Sequence, residues 1–142
     1  MPRNILLPLD PSAPANWPVP LTEAQLLLRD GGVLHVLSVL PDFGLSAMGP
    51  MGDLFTATLQ QAALTQMRQA QRLWISQTIP VAVTVEPHVR TGDPAAAILE
   101  VAEAVKADVI VLGSPTAARP ELGETIRAVA LGAAASVYLV RV

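Results

Sequence analysis

Two stretches of this chain hold residue types that could build a ligand site, a carboxylate and a glycine-bearing loop. One is Asp10, which closes the apolar run Asn4 to Leu9; the other is the glycine-bearing segment from Gly113 to Gly123-Glu124-Thr125. A helix opening at Gly123 would present unpaired backbone amides, and an anion is drawn there by the N–H groups and by the helix dipole together. Elsewhere the chemistry is sparse. The chain has no cysteine, which removes disulfides, thiolate-bound zinc, iron–sulfur clusters and thiol nucleophiles. Its two histidines, His35 and His88, have no nitrogen or thiol partner at a ligand spacing, so structural or surface roles are expected for both and no metal site is expected. Ser114 follows Gly113 outside any Gly-x-Ser-x-Gly elbow, and no Ser-His-Asp set is evident, so no catalytic residue is assigned.

The elements that must position these residues alternate. Asn4 to Leu9 and Val33 to Leu40 are apolar runs that read as strands buried on both faces. Between them Pro11, Pro14, Pro18 and Pro20 disfavour helix, which predicts a short helix from about Thr22 to Gly31-Gly32, with Glu23 in its first turn. Pro41 to Gly52, with Gly44, Gly49, Pro50 and Gly52, reads as a loop, expected to be a packed flap. Asp53 is expected to cap a helix to about Gln77, whose stripe of Leu54, Ala57, Leu64, Met67 and Trp74 faces the core. Val81, Val83 and Val85 alternate in a third strand running to Val89, and Gly92-Asp93-Pro94 supplies turn, N-cap and first position of a helix to about Lys106. Asp108 to Leu112 is a fourth strand, Gly113 to Leu122 a loop, Gly123 to about Gly132 a helix and Val137 to Val142 a last strand. Such alternation calls for a parallel sheet with helices on both faces. Ligands in that architecture bind beyond the carboxyl ends of the strands, which here means Asp10, Val39 to Pro41, and Gly113 to Thr125.

The bulk properties agree. With 142 residues the chain suits one domain, residues 1–142. Hydrophobic residues make up 51% and charged residues 15%, yet no apolar run approaches the roughly 18 residues that span a bilayer, and the start lacks a secretory signal, so a cytoplasmic location is expected. A net charge of −3 with a single lysine, Lys106, gives no footprint for nucleic acid or an anionic membrane. Trp17 among prolines is expected to cover an edge of the core.

Five segments occur in a telling order: Asn4-Ile5-Leu6-Leu7-Pro8-Leu9-Asp10-Pro11-Ser12, Leu34-His35-Val36-Leu37-Ser38-Val39, Gly92-Asp93-Pro94, Val109-Ile110-Val111-Leu112-Gly113-Ser114, and Ser136-Val137-Tyr138-Leu139-Val140-Arg141. In that order and spacing the chain resembles the universal stress protein family over nearly its whole length. The resemblance implies an adenine nucleotide alpha hydrolase-like α/β fold, a single doubly wound domain whose five-stranded parallel sheet has the order 3-2-1-4-5. It also implies an adenine site at Pro8, Leu9, Asp10 and Val39, and a phosphate loop of pattern Gly-x2-Gly-x9-Gly-[Ser/Thr].

This chain departs from that loop. Gly113 is followed by Thr116 in place of the second glycine, six residues replace nine before Gly123, and Glu124 stands where a hydroxyl residue is expected. Thr116 restricts the backbone, the shorter loop cradles less and Glu124 repels phosphate, although in the first turn it would favour its own helix by about 0.3–1 kcal/mol. Thr125 is placed to supply a hydroxyl and Arg119 to offset the glutamate. The expected function is therefore a regulatory or binding module of the stress response, with a degenerate adenine-nucleotide site and little or no catalysis. Its optional ligand is ATP or AMP, with magnesium only if ATP binds. Competing readings are an ATP-hydrolysing switch using Asp10 for a divalent metal, and another adenine-binding α/β domain related to electron-transfer flavoprotein subunits. The last strand, Val137, Tyr138, Leu139, Val140 and Arg141, would lie at a sheet edge and pair with a second copy in an isologous homodimer, as the resemblance also implies. A protein partner is not identified by the sequence.

Overall fold

In the computed structural model, five parallel strands alternate with helices in the order β1 (Asn4–Pro8), α1 (Pro18–Leu27), β2 (Val33–Leu40), α2 (Pro50–Thr78), β3 (Thr84–Thr91), α3 (Pro94–Ala104), β4 (Val109–Ser114), α4 (Pro120–Gly132) and β5 (Ser136–Arg141). The structure describes residues 3–41, 50–114 and 120–142, without the side chains of residues 50, 53–56 and 120–122. Of the expected flap from Pro41 to Gly52, residues 42–49 lie outside the described residues, as do Thr116 and Arg119, while Pro50 to Gly52 are helical rather than loop. All strand pairs are parallel and the sheet order is β3-β2-β1-β4-β5, the 3-2-1-4-5 arrangement. The chain therefore winds outward through α1 and α2 on one face, returns to the middle, and winds the other way through α3 and α4 on the opposite face.

Strand periodicity sorts the core into two halves. On one face Ile5, Leu7, Leu34, Val36 and Val111 meet Leu21, Ala24 and Leu28 of α1 and Ile79 just beyond α2. On the other, Leu6, Leu37, Ile110 and Leu112 meet Ile98 and Val101 of α3 and Val129 of α4. Leu6, Leu37 and Ile110 are fully buried, each contributing roughly 1.5–3 kcal/mol of apolar transfer. At the amino end of the sheet Asp108 ties the central strands, since its Oδ2 accepts from Asn4 N–H at 2.7 Å while its own N–H donates to the Asn4 carbonyl at 2.7 Å.

Several boundaries depart from the sequence reading. α1 begins at Pro18 rather than Thr22, after a 3₁₀ turn at Pro14–Asn16, because Pro18 and Pro20 occupy the first turn, where a missing N–H costs no helical hydrogen bond. The same logic starts α2 at Pro50, so Asp53 lies inside that helix rather than capping it, and starts α4 at Pro120. The stripe on α2 is only partly covered: Ala57 is exposed, Leu64, Met67 and Trp74 are half-buried, and Leu54 is one of the undescribed side chains. β3 begins at Thr84 because Val83 N–H closes a turn onto the Pro80 carbonyl at 3.0 Å, leaving Val81 wholly exposed in that turn. Asp93 does cap α3, accepting from Ala96 N–H at 2.9 Å. That helix stops at Ala104 in a Schellman motif: Lys106 adopts φ +54°, its N–H reaches the Glu103 carbonyl, and Ala107 N–H reaches Ala102. Among the described residues no helix is long and apolar enough to cross a membrane.

Candidate functional site

The order 3-2-1-4-5 makes the crossovers diverge between β1 and β4, and a cleft of about 270 Å³ opens there at the carboxyl ends of the strands. Its floor is Leu37 and Leu112, and its walls are Pro8-Leu9-Asp10 and Val39 on one side, Gly113 and Thr125 on the other. Six of the ten expected site residues are thus brought together. Gly123 and Glu124 are not among the cleft's lining residues, and Thr116 and Arg119 are not described. The start of α4 at Pro120 explains the first departure: Gly123 is the fourth helical residue rather than the first, and Glu124 lies exposed in the second turn. The amides once assigned to Gly123-Glu124-Thr125 belong to the interior of the helix, and the dipole benefit expected for Glu124 falls away with them.

Each wall has a local cause. Asp10 ends β1 and holds its own turn, with Oδ1 accepting from Ser12 N–H at 2.9 Å and from the Ser12 hydroxyl at 2.7 Å. Its carbonyl accepts from the Trp17 indole at 2.8 Å, which swings that ring onto the cleft, edge-on to Trp74 with centroids 5.1 Å apart. Gly113 keeps the mouth open, since a Cβ there would stand 3.3 Å from Val142 and 3.4 Å from Pro20. Trp17, Asn16 and Ile98 also line the cleft and were missed as site residues; the lone tryptophan among prolines was the available signal, while Ile98 shows only as part of an apolar helix. Aspartate is the one charged residue type in the described lining, which holds no lysine, arginine or histidine.

At the outer edge, β5 pairs only with β4 among the described residues. Leu139 is 49% and Tyr138 39% exposed, whereas Val140, expected to share that edge, is 6% exposed and packed in the core against the α1 side. The Tyr138 hydroxyl donates to Glu23 Oε2 at 3.0 Å, and this bond to a carboxylate raises the phenol pKa above 10.0.

A second constellation lies elsewhere and was not expected. His35 of β2 stands opposite Glu86 of β3, and His88 follows two residues on, so all three side chains share the α3 face. His35 Nδ1 is 3.0 Å from His88 Nε2 and 3.4 Å from Glu86 Oε2, and His35 Nε2 is 3.2 Å from Asn4 Oδ1. Burial lowers the pKa of both rings; at His35 Glu86 opposes this, and at His88 the charges of His35 and Arg90 add to it. The reading that neither histidine has a ligand partner is corrected: residues 53 apart in sequence meet through the β2–β3 register, which spacing along the chain does not reveal.

A doubly wound α/β domain with an apolar cleft at its topological switch point is a ligand-binding class of fold. The model of the universal stress protein family matches residues 1–141, and the chain belongs to that family. Among solved structures it is similar to the universal stress protein UspA from Lactobacillus plantarum, at 25% identity and TM-score 0.68, with 98% of this chain and 97% of that one covered. It is also similar to a universal stress protein in complex with cAMP, at 21% identity and TM-score 0.59 over 98% and 96% of the two chains. A third is the universal stress protein from Archaeoglobus fulgidus in complex with dAMP, at 21% identity and TM-score 0.56 over 98% and 97%. Comparison with curated protein sequences gave no match.

Proposed function

We propose that the chain is a regulatory binding module of the stress response that takes an adenine mononucleotide in the β1–β4 cleft and does not turn it over. The observation that carries this reading is the cleft's lining: apolar walls on both sides of a small volume, with Asp10 as its charged group and no described cation. At about 270 Å³ it lies just under the roughly 300–1,000 Å³ of drug-sized pockets, which suits a nucleoside or monophosphate better than a metal-bound polyphosphate. Val39, Ile98 and Leu112 of the lining give a flat base apolar surface to lie on. The cAMP and dAMP complexes of similar structures support the same ligand class. Against a magnesium-dependent switch, Asp10 Oδ1 is already occupied in holding the Ser12 turn.

The test is calorimetric titration of the purified chain with AMP, cAMP, ADP and ATP, with and without magnesium, alongside a phosphate-release assay. The expected result is that AMP or cAMP binds at least as tightly as ATP, that magnesium changes nothing and that no phosphate appears. Tenfold tighter, magnesium-dependent ATP binding with turnover overturns the reading.

The exposed edge of β5 supports a second element, an isologous homodimer through that strand, because an unpaired parallel edge carrying Leu139 and Tyr138 is a template for a second copy. Sedimentation should give twice 14.9 kDa, and Leu139→Asp should return the monomer mass. A monomeric parent at micromolar concentration removes this element.

A further inference from the structure

The His35–Glu86–His88 cluster lies on the α3 face of the β2–β3 pair, away from the nucleotide cleft. Val39 at the cleft is four residues further along β2 than His35, roughly 13 Å at strand rise. Two of the three groups sit on one strand at i and i+2 and the third is their cross-strand neighbour, so their relative positions are fixed by ladder hydrogen bonds rather than by loop conformation.

We propose that His35 Nδ1, His88 Nε2 and a Glu86 carboxylate oxygen form a binding site for one divalent transition-metal ion of the zinc class, with water completing a four-coordinate shell. The distances fit this set. Bonds of about 2.0–2.1 Å in a tetrahedron place ligand atoms roughly 3.3 Å apart. The observed separations are 3.0 Å between the two nitrogens and 3.4 Å from His35 Nδ1 to Glu86 Oε2, and all three ligand atoms lie within 4.8 Å of one another.

The surroundings of His35 point the same way. Its Nε2–H donates to Asn4 Oδ1, and a neutral imidazole carries one proton, so the bond to Asn4 leaves the lone pair on Nδ1, facing the other two groups. An outer partner that fixes the tautomer of a ligating histidine is a recurring feature of metal sites. His35 is 3% exposed and held rigidly, while the Glu86 side chain is 58% exposed and opens a path for the ion from solvent. Arg90 lies close enough to His88 for its charge to be felt, and the Glu86 carboxylate opposes that charge.

The donor set selects the ion. Two imidazoles and one carboxylate suit zinc, cobalt, nickel or copper, whereas calcium and magnesium take all-oxygen shells. A bound ion would clamp edge strand β3 to β2, stabilising the folded chain with the logarithm of free metal once that exceeds Kd.

The experiment uses the full chain without an affinity tag, stripped with chelator and titrated with Zn²⁺ alone by calorimetry, then with Co²⁺ followed by visible absorption. Saturation is expected at one ion per chain with micromolar or tighter affinity, a tetrahedral Co²⁺ spectrum and a higher melting temperature with Zn²⁺. Glu86→Gln and His88→Gln, on the more exposed strand, should each weaken Zn²⁺ by at least tenfold while keeping the parent far-UV spectrum, and Asn4→Ala should weaken it by roughly 10–100-fold. If no saturable uptake occurs below millimolar Zn²⁺, or if the folded Glu86→Gln/His88→Gln double variant binds as the parent does, the proposal fails.

Discussion

The sharpest structural prediction concerns the paired glycines between α1 and β2. Gly31 and Gly32 both have positive φ, +103° and +127°, but their surroundings differ. A Cβ at Gly31 would meet nothing within 4 Å. A Cβ at Gly32 would overlap the Arg3 carbonyl oxygen, approach Arg3 N to 2.7 Å and approach Leu28 Cδ2 to 2.8 Å. The first two are backbone atoms of the segment leading into β1, and the Arg3 carbonyl accepts from Val33 N–H at 2.8 Å, so relief means moving the start of the β1–β2 ladder. Gly31→Ala therefore carries only left-handed backbone strain, about 1–2 kcal/mol. Gly32→Ala carries that strain plus an overpacking cost of about 1–3 kcal/mol, a total of about 2–5 kcal/mol.

For a chain of this size 1 kcal/mol shifts the melting temperature by about 2–4 °C, so Gly31→Ala should melt several degrees low and Gly32→Ala about 2–12 °C lower still. Urea unfolding of the two variants and the parent, with unchanged m-values, measures the difference directly. Equal losses in the two variants would refute the reasoning, because they would mean that contact with Arg3 is not what distinguishes the positions.

At the other end of α3, Lys106 pays left-handed strain in its Schellman motif, so Lys106→Gly should stabilise the chain by about 0.5–1 kcal/mol in urea unfolding, the greater freedom of unfolded glycine offsetting part of the gain. Both histidines have folded pKa values below 6.5, with burial the first cause at each, so the unfolded chain takes up more protons as acid is added. With chelator present, stability should be full above about pH 6.5 and decline as pH falls through the lowered folded values; a urea midpoint that is flat or rising on acidification across that window would contradict it. On β5, Val140→Asp buries a charge and should cost at least about 3 kcal/mol, whereas Leu139→Asp should cost only what the lost dimer contact contributes, a difference that vanishes in urea unfolding at concentrations where the parent is monomeric.

Much of the fold was legible because its signals are local. β2 was bounded correctly at Val33 and Leu40, and Asp93 with Pro94 announced α3, since a cap and a first-position proline act through neighbouring residues. Prolines misled where their position in a helix decides their meaning: Pro18, Pro50 and Pro120 begin helices and were read as loop or as residues ahead of the cap. Alternating valines misled at Val81 because period-2 spacing does not distinguish a strand from a turn leading into one. In the site, Asp10 and Val39 could be placed because they end strands, and strand ends are where the topology puts a ligand. The Glu86–His88 pair could not, because its meaning depends on facing His35 across a register that no short window contains.

The two sites share β2, yet nothing in that strand lets one bias the other. Coupling between sites requires an element with two arrangements that each ligand favours differently. β2 is paired on both sides along its length, to β1 from Val33 to Leu37 and to β3 from Val33 to Leu40, and Leu34, Val36 and Leu37 are fully buried. Gln71 of α2 fixes it further, donating to the Val36 carbonyl at 3.2 Å and the His88 carbonyl at 3.1 Å. A strand held on four sides transmits little, so zinc and mononucleotide should bind additively. A zinc effect on nucleotide affinity would then have to pass through β3 and Gly92, whose N–H bonds the Leu40 carbonyl at 2.8 Å just beside the cleft.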